Sequence, residues 1–171
     1  HEVELWEKTT KLGGNIRVAG APDFKGDVAA YTDNLIHALD RSGVIVRMNK
    51  DATAEEIIAG NYDYVALATG SRSKIPPIPG IDSSIVETAN EGLLNKEKLT
   101  GKVVVIGGGL VGCEAAVQAS GTAEEVTVIE FLDGLLLTVQ HLFNNDQALR
   151  QMIRDANIKT LLGTKVTRIT E

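Results

Sequence analysis

KVVVIGGGLVGCEAAVQASGTAEEVTVIE, residues 102–130, decides the fold. Val103 to Ile106 form an apolar run suited to a buried parallel strand, and the glycines behind it make a turn before a helix-forming stretch from Leu110. A second apolar run closes on an acid, Glu130, 23 residues after Gly107. Strand, glycine turn, helix, strand and terminal acid in this order spell a dinucleotide-binding half-fold. The expected class is α/β, Rossmann-like, with parallel sheets and helices on both faces.

Each part of that half-fold has its own task. Gly107 permits the tight turn out of the strand, Gly109 keeps side-chain atoms away from a pyrophosphate, and Gly112 lets the helix approach the sheet. The phosphates are expected at the helix start, where the N–H groups of Leu110 and Val111 point outward and the helix dipole favours an anion. Glu130 is expected to take the two ribose hydroxyls of the adenosine. The competing readings are a turn kept for packing alone and, for Glu130, a plain exposed strand end. A carboxylate beside a 2′-phosphate costs about 1–3 kcal/mol at intermediate dielectric. The next residue is Phe131 rather than a base, so NADH is expected over NADPH, although an arginine from another loop would reverse that choice.

A chain of 171 residues buries a sizeable core and accommodates one or two small domains. The net charge is −6 and Lys and Arg do not cluster, which argues against a nucleic-acid groove or an anionic membrane surface. The most apolar window, Val103 to Ala119, is interrupted by glycines and Glu114 and does not read as a membrane span. A single cysteine, Cys113, and no export signal point to a reducing cytoplasm. The helix dipole beside Cys113 favours a thiolate, but a buried small apolar residue is the expected role. His1 opens inside a strand pattern and VTRITE stops in another, so an excerpt of a longer protein is expected.

Along the chain, residues 2–7 alternate as a strand ending at Glu7, followed by the polar turn KTTKLGG. A helix is expected from Asp27 to Arg41 with Val28, Tyr31, Leu35 and Leu39 inward, then a strand from Val44 to Met48, and a short helix opened by Thr53 with Glu56 in a capping box. YDYVALATG reads as a buried strand, and GSRSKIPPIPG, with Pro76, Pro77 and Pro79, as a stiff connection. A short helix is expected within 87–98. After Glu130 come a loop with Asp133 and Gly134, a helix near Asp146 to Ala156 with Leu149, Met152 and Ile153 inward, and strands at 158–162 and 165–170. The two halves echo each other, as in a duplicated nucleotide-binding unit. His37 and His141 are expected at the surface or in helix packing, and no catalytic acid or base and no metal ligand is assigned.

Three motifs, WEKTTKLGG (6–14), YDYVALATGSRSKIPPIPGID (62–82) and VVVIGGGLVGCEAA (103–116), occur in an order that resembles the flavoproteins with two dinucleotide-binding domains. More narrowly, the chain resembles the C-terminal region of the multidomain NADH:flavin oxidoreductases, the group of 2,4-dienoyl-CoA reductase, 2-enoate reductases and trimethylamine dehydrogenase. The resemblance covers nearly the whole chain. It implies an upstream barrel domain carrying FMN and an iron-sulfur cluster, followed by a region that receives electrons from NADH or holds an adenine nucleotide.

For this sequence the resemblance implies a partial FAD-binding domain at 1–80, a connector at 81–101 and the first half of an NAD(P)H-binding domain at 102–171. Glu7 would hold the FAD adenosine ribose and Gly13 and Gly14 would lie near its pyrophosphate, unless they form a plain turn. Ala68, Thr69 and Gly70 match the family's ATG signature; Arg72 is equally a phosphate contact or an exposed loop residue. Glu114 stands where related reductases contact the nicotinamide amide, with an ordinary first-turn acid as the alternative.

The family's first glycine turn and central strand would precede His1, so weak or no FAD is expected in this piece, which by itself is expected to be inactive. The edges of the strands near 2–7 and 63–68 are expected to lie open, available for pairing with another chain or a second copy. The resulting reading is an NADH-dependent flavin oxidoreductase passing hydride from nicotinamide to flavin. Its rivals are a structural adenine-nucleotide module without electron transfer and a pyridine-nucleotide disulfide reductase.

Overall fold

Val103 and Val105 turn inward from one strand and Val126 and Val128 from its parallel neighbour, so that the core of the second half forms against one face of a sheet. This computed structural model describes residues 1–137 and 143–170; His141 falls outside the described residues. The chain divides into two compact units, His1–Arg72 and Ser73–Glu171.

In the first unit β1 (Glu4–Glu7) pairs in parallel with β2 (Ile45–Met48), from Glu4 opposite Ile45 to Glu7 opposite Met48. The crossover contains α1 (Gly14–Ala19), a 3₁₀ turn at Asp23–Lys25 and α2 (Gly26–Asp40), and α3 (Ala54–Ala59) follows β2. The Thr53 hydroxyl accepts the Glu56 N–H at 3.2 Å while the Glu56 carboxylate reaches back to the Thr53 N–H, completing the expected capping box. Helix α1 has only six residues, too few for an apolar period to be visible in sequence.

Two expectations fail in this unit. Helix α2 buries Thr32 and half-buries Val28, Ala29, Ile36 and Leu39, whereas Tyr31 and Leu35 are exposed. The buried stripe is rotated because Gly20 packs on α2: a Cβ at Gly20 would stand 2.8 Å from the Ala29 nitrogen, so the small-residue side must face α1. YDYVALATG is not a buried strand. Tyr64 and Leu67 are 90% and 79% exposed and no strand is formed there. A strand exists only with a ladder partner, and the sheet of this unit consists of β1 and β2 alone.

One charged cluster holds β1 to β2. The Glu4 carboxylate accepts hydrogen bonds from Arg47 at 2.8 Å, from the Trp6 indole at 2.9 Å and from the Tyr62 hydroxyl at 3.1 Å. Tyr62 meets the Trp6 ring edge-on and the Lys50 ammonium lies 4.9 Å from its centroid. Arg47 first, then Trp6, holds the Glu4 carboxyl down to about 2. The folded value lies below the unfolded one, so this stabilisation is present above the ordinary carboxylate range and is lost as pH falls from about 4.5 toward about 2. Trp6, the sole tryptophan of the sequence, reports it. The Trp6 fluorescence of the 171-residue chain should change over that acid window, and Glu4→Gln should flatten the change; superimposable acid profiles would refute the assignment.

The second unit begins with the proline-containing stretch and α4 (Ala89–Leu94), capped by Thr88 and Glu91. Its sheet has the order β3 (Lys102–Ile106), β4 (Glu125–Ile129), β5 (Lys159–Leu161), all parallel. The connections run through α5 (Leu110–Ala119) and α6 (Phe143–Asp155). Cys113, Ala116 and Ala119 of α5 meet Val126 and Val128, and Leu149, Ile153 and Ile158 close the core. Small residues on α5 let the helix sit close to the strands. On the opposite face Val104 and Ile106 are exposed.

The stretch 165–170 does not form the expected strand. The Ile169 N–H does donate to the Pro79 carbonyl at 2.8 Å, but Pro76, Pro77 and Pro79 have no N–H to give and a ladder cannot propagate along them. Among the described residues no helix is long and apolar enough to cross a membrane.

Candidate dinucleotide-binding site

Strand β3 leaves the sheet at Gly107, whose φ of 109° is a left-handed conformation that L side chains rarely adopt, and whose N–H donates to the Ile129 carbonyl at 2.8 Å. Gly109 then caps α5 and accepts the Cys113 N–H at 2.9 Å. The N–H groups of Leu110, Val111 and Gly112 donate to no acceptor among the described residues, as expected for a first helical turn.

Space is distributed unequally around the glycines. A Cβ on Gly109 would meet nothing within 4 Å, whereas one on Gly112 would overlap the Gly107 carbonyl oxygen and lie 3.0 Å from its carbon. Gly112 is therefore the point of helix–strand contact and Gly109 the open lip above the free donors. That lip is where a phosphate meets amides and the positive helix end without obstruction.

Glu130, half-buried at the end of β4, lies against this turn. One carboxylate oxygen accepts the Gly108 N–H at 2.5 Å and the other accepts the Leu132 N–H at 2.7 Å. Each oxygen keeps a further lone pair for a hydroxyl donor. In sequence Glu130 reads as a ribose ligand or as a plain exposed strand end; its bond to the glycine turn emerges only in three dimensions.

Three residues outside the turn, Leu135, Leu136 and Arg150, were not foreseen to hold it. The Gly108 carbonyl accepts the Leu136 N–H at 2.8 Å, and Leu136 has a φ of 59°. The Leu135 side chain covers Gly108, and the Arg150 guanidinium donates to the Leu135 carbonyl at 2.6 Å. The apolar run after Gly134 was a visible signal, but nothing local tells that it folds back on the turn.

Cys113 is fully buried with its thiol 3.4 Å from the Gly108 carbonyl, and burial pushes it up to about 11. Desolvation outweighs the helix dipole here, so the thiol stays protonated at neutral pH and packs as a small apolar residue. Glu114 is the fifth residue of α5 and lies past its first turn. The reading of Glu114 as a dipole-favoured first-turn acid is thereby corrected, since that effect fades within one turn.

In the first unit Glu7 ends β1, and the Thr9 side chain and N–H, the latter at 2.8 Å, hold its carboxyl below the usual range. Gly13 and Gly14 open α1 with φ of 105° and 43°. Asn15, not singled out from sequence, donates to the Ser71 carbonyl at 2.9 Å and so ties this turn to the segment following Ala68, Thr69 and Gly70. Added Cβ atoms on Gly14 or Gly70 would meet nothing within 4 Å, which leaves both backbones open to a ligand. Arg72 is exposed.

A profile of the pyridine nucleotide-disulphide oxidoreductases matches residues 8–171. The chain belongs to this family. Among relatives of this family member, the NADH oxidase of Thermoanaerobacter brockii is 36% identical over 173 residues, covering 99% of this chain and 26% of that protein. The cinnamate reductase of Clostridium sporogenes is 40% identical over 136 residues, covering 80% of this chain and 20% of that protein. A solved structure of 2-naphthoyl-CoA reductase in complex with 2-naphthoyl-CoA superposes with a TM-score of 0.85 at 30% identity, covering 99% of this chain and 26% of that one. The chain thus spans a fifth to about a quarter of the length of these relatives, all of which are oxidoreductases.

Proposed function

We propose that this chain supplies the nicotinamide-nucleotide half-site, and part of the FAD site, of an NADH-dependent flavin oxidoreductase working in a reducing cytoplasm. The carrying observation is the open lip at Gly109 above the free N–H groups of Leu110, Val111 and Gly112, with the Glu130 carboxylate at the adjoining strand end. Reduced nicotinamide, when bound, supplies a hydride to flavin. The residues of this chain bind and orient it: amides receive the pyrophosphate, Glu130 receives the adenosine ribose, and Glu114 faces the nicotinamide amide. Glu7, Gly13, Gly14 and Ala68 to Gly70 fit the nucleotide part of FAD, held weakly by this chain alone.

The names of two relatives, a cinnamate reductase and a 2-naphthoyl-CoA reductase, support a whole protein that reduces an enoate, dienoyl or related conjugated substrate. An upstream barrel with FMN and an iron-sulfur cluster, as in the dienoyl-CoA reductase and trimethylamine dehydrogenase group, completes this reading. A disulfide-reducing role would require a redox cysteine pair upstream of this chain, whose single cysteine is buried and protonated.

Anaerobic titration of the full-length protein with NADH is the test, with bleaching of the flavin band as the expected result. Tight binding of ADP together with a flavin that NADH leaves oxidised would overturn electron transfer and assign the site to a structural adenine nucleotide.

A further inference from the structure

We infer that Arg150 is a positioning residue for the nicotinamide-nucleotide site, acting through the loop 131–137; this rests on the reading of that site given above. Arg150 is on α6 and belongs to no part of the glycine motif. Its Nε donates to the Asp146 carboxylate at 2.5 Å one turn earlier, and a terminal nitrogen donates to the Leu135 carbonyl at 2.6 Å. One planar fork thus joins the helix to the loop by one charge-assisted bond while a second fixes the guanidinium on its own helix, a geometry a lysine ammonium cannot reproduce.

The loop fixed in this way is the one that grips the turn. Leu135 covers Gly108 and the Leu136 N–H engages the Gly108 carbonyl at 2.8 Å, while Glu130 engages the Gly108 N–H at 2.5 Å. Residue 108 is held at both its donor and its acceptor. The peptide plane of its carbonyl also carries the Gly109 N–H and leads directly into the donors of Leu110, Val111 and Gly112 at the open lip. Leu136 sits at φ 59°, a conformation that a branched side chain keeps only when its surroundings impose it. Release of the Leu135 carbonyl removes that constraint, and the turn is free to rotate its donors away from a pyrophosphate.

Arg150 reaches the turn only through the Leu135 carbonyl and touches no reacting atom, so its loss should appear in affinity and not in the chemical step. In the full-length protein, Arg150→Ala should weaken NADH and ADP alike by about tenfold while the limiting rate of flavin reduction stays within about twofold. Arg150→Lys should restore less than half of that loss, and Asp146→Asn should weaken binding to a smaller extent than Arg150→Ala; both keep the test open if Arg150→Ala fails to fold. Wild-type affinity for NADH in Arg150→Ala or Arg150→Lys would overturn the inference and leave the proposed function intact. A proportional fall in rate and affinity together with a lowered Tm would also overturn it, as general destabilisation. Failure of the wild-type protein to bind NADH would overturn the functional reading itself.

Discussion

Gly112→Ala should lose both NADH affinity and stability, whereas Gly109→Ala should lose affinity alone. An alanine Cβ at 112 overlaps the Gly107 carbonyl oxygen, so α5 must move off β3. Overpacking of a close backbone contact costs about 1–3 kcal/mol, and the displaced helix end takes its free amides with it. At Gly109 there is nothing within 4 Å for a Cβ to strike, and φ is an ordinary −76°. The added methyl only fills the lip where a phosphate would rest, and loss of one charge-assisted bond amounts to about 1.5–3 kcal/mol, roughly 10- to 150-fold in affinity. Calorimetric titration with NADH beside thermal unfolding of the full-length protein separates the two. If Gly109→Ala binds NADH like the wild type, the lip is not the phosphate site.

The second large effect concerns the choice of nucleotide. Glu130→Ala should weaken NADH more than NADPH, moving the preference toward NADPH by the equivalent of about 1–3 kcal/mol, because the carboxylate that repels a 2′-phosphate is gone. The structure adds a common loss for both nucleotides, since the same carboxylate accepts the Gly108 and Leu132 N–H groups. Two effects superpose: a shared drop from the loosened turn and a differential one from the charge. Dissociation constants for NADH and NADPH measured side by side resolve them. Equal loss for both would leave Glu130 as a brace of the turn with no part in discrimination.

Much of the second unit was legible in sequence for local reasons. Glycine spacing in 107–112 and apolar runs at 103–106 and 126–129 are signals contained within a few residues, as is the capping box at Thr53 in the first unit. The inward face of α6, with Leu149 and Ile153, follows from the same helical period.

What misled the reading has one physical origin. YDYVALATG has strand composition but no ladder partner, so its apolar residues stay exposed. The face of α2 depends on how closely Gly20 lets α1 approach Ala29. Both are decided by packing against a second segment, which no pattern within the segment itself encodes.

The amino-acid sequence by itself thus determined where the strands, the glycine turn and the terminal acid lie, because backbone propensity and side-chain period act over a few residues. Only the tertiary structure decided that Glu130 braces Gly108, that Leu135 and Leu136 fold back on the turn, and that Arg150 anchors them, because these are bonds between residues 15 to 28 positions apart. Such bonds form only after β3, β4 and α6 are packed, and no local pattern encodes which carbonyl a distant guanidinium will meet.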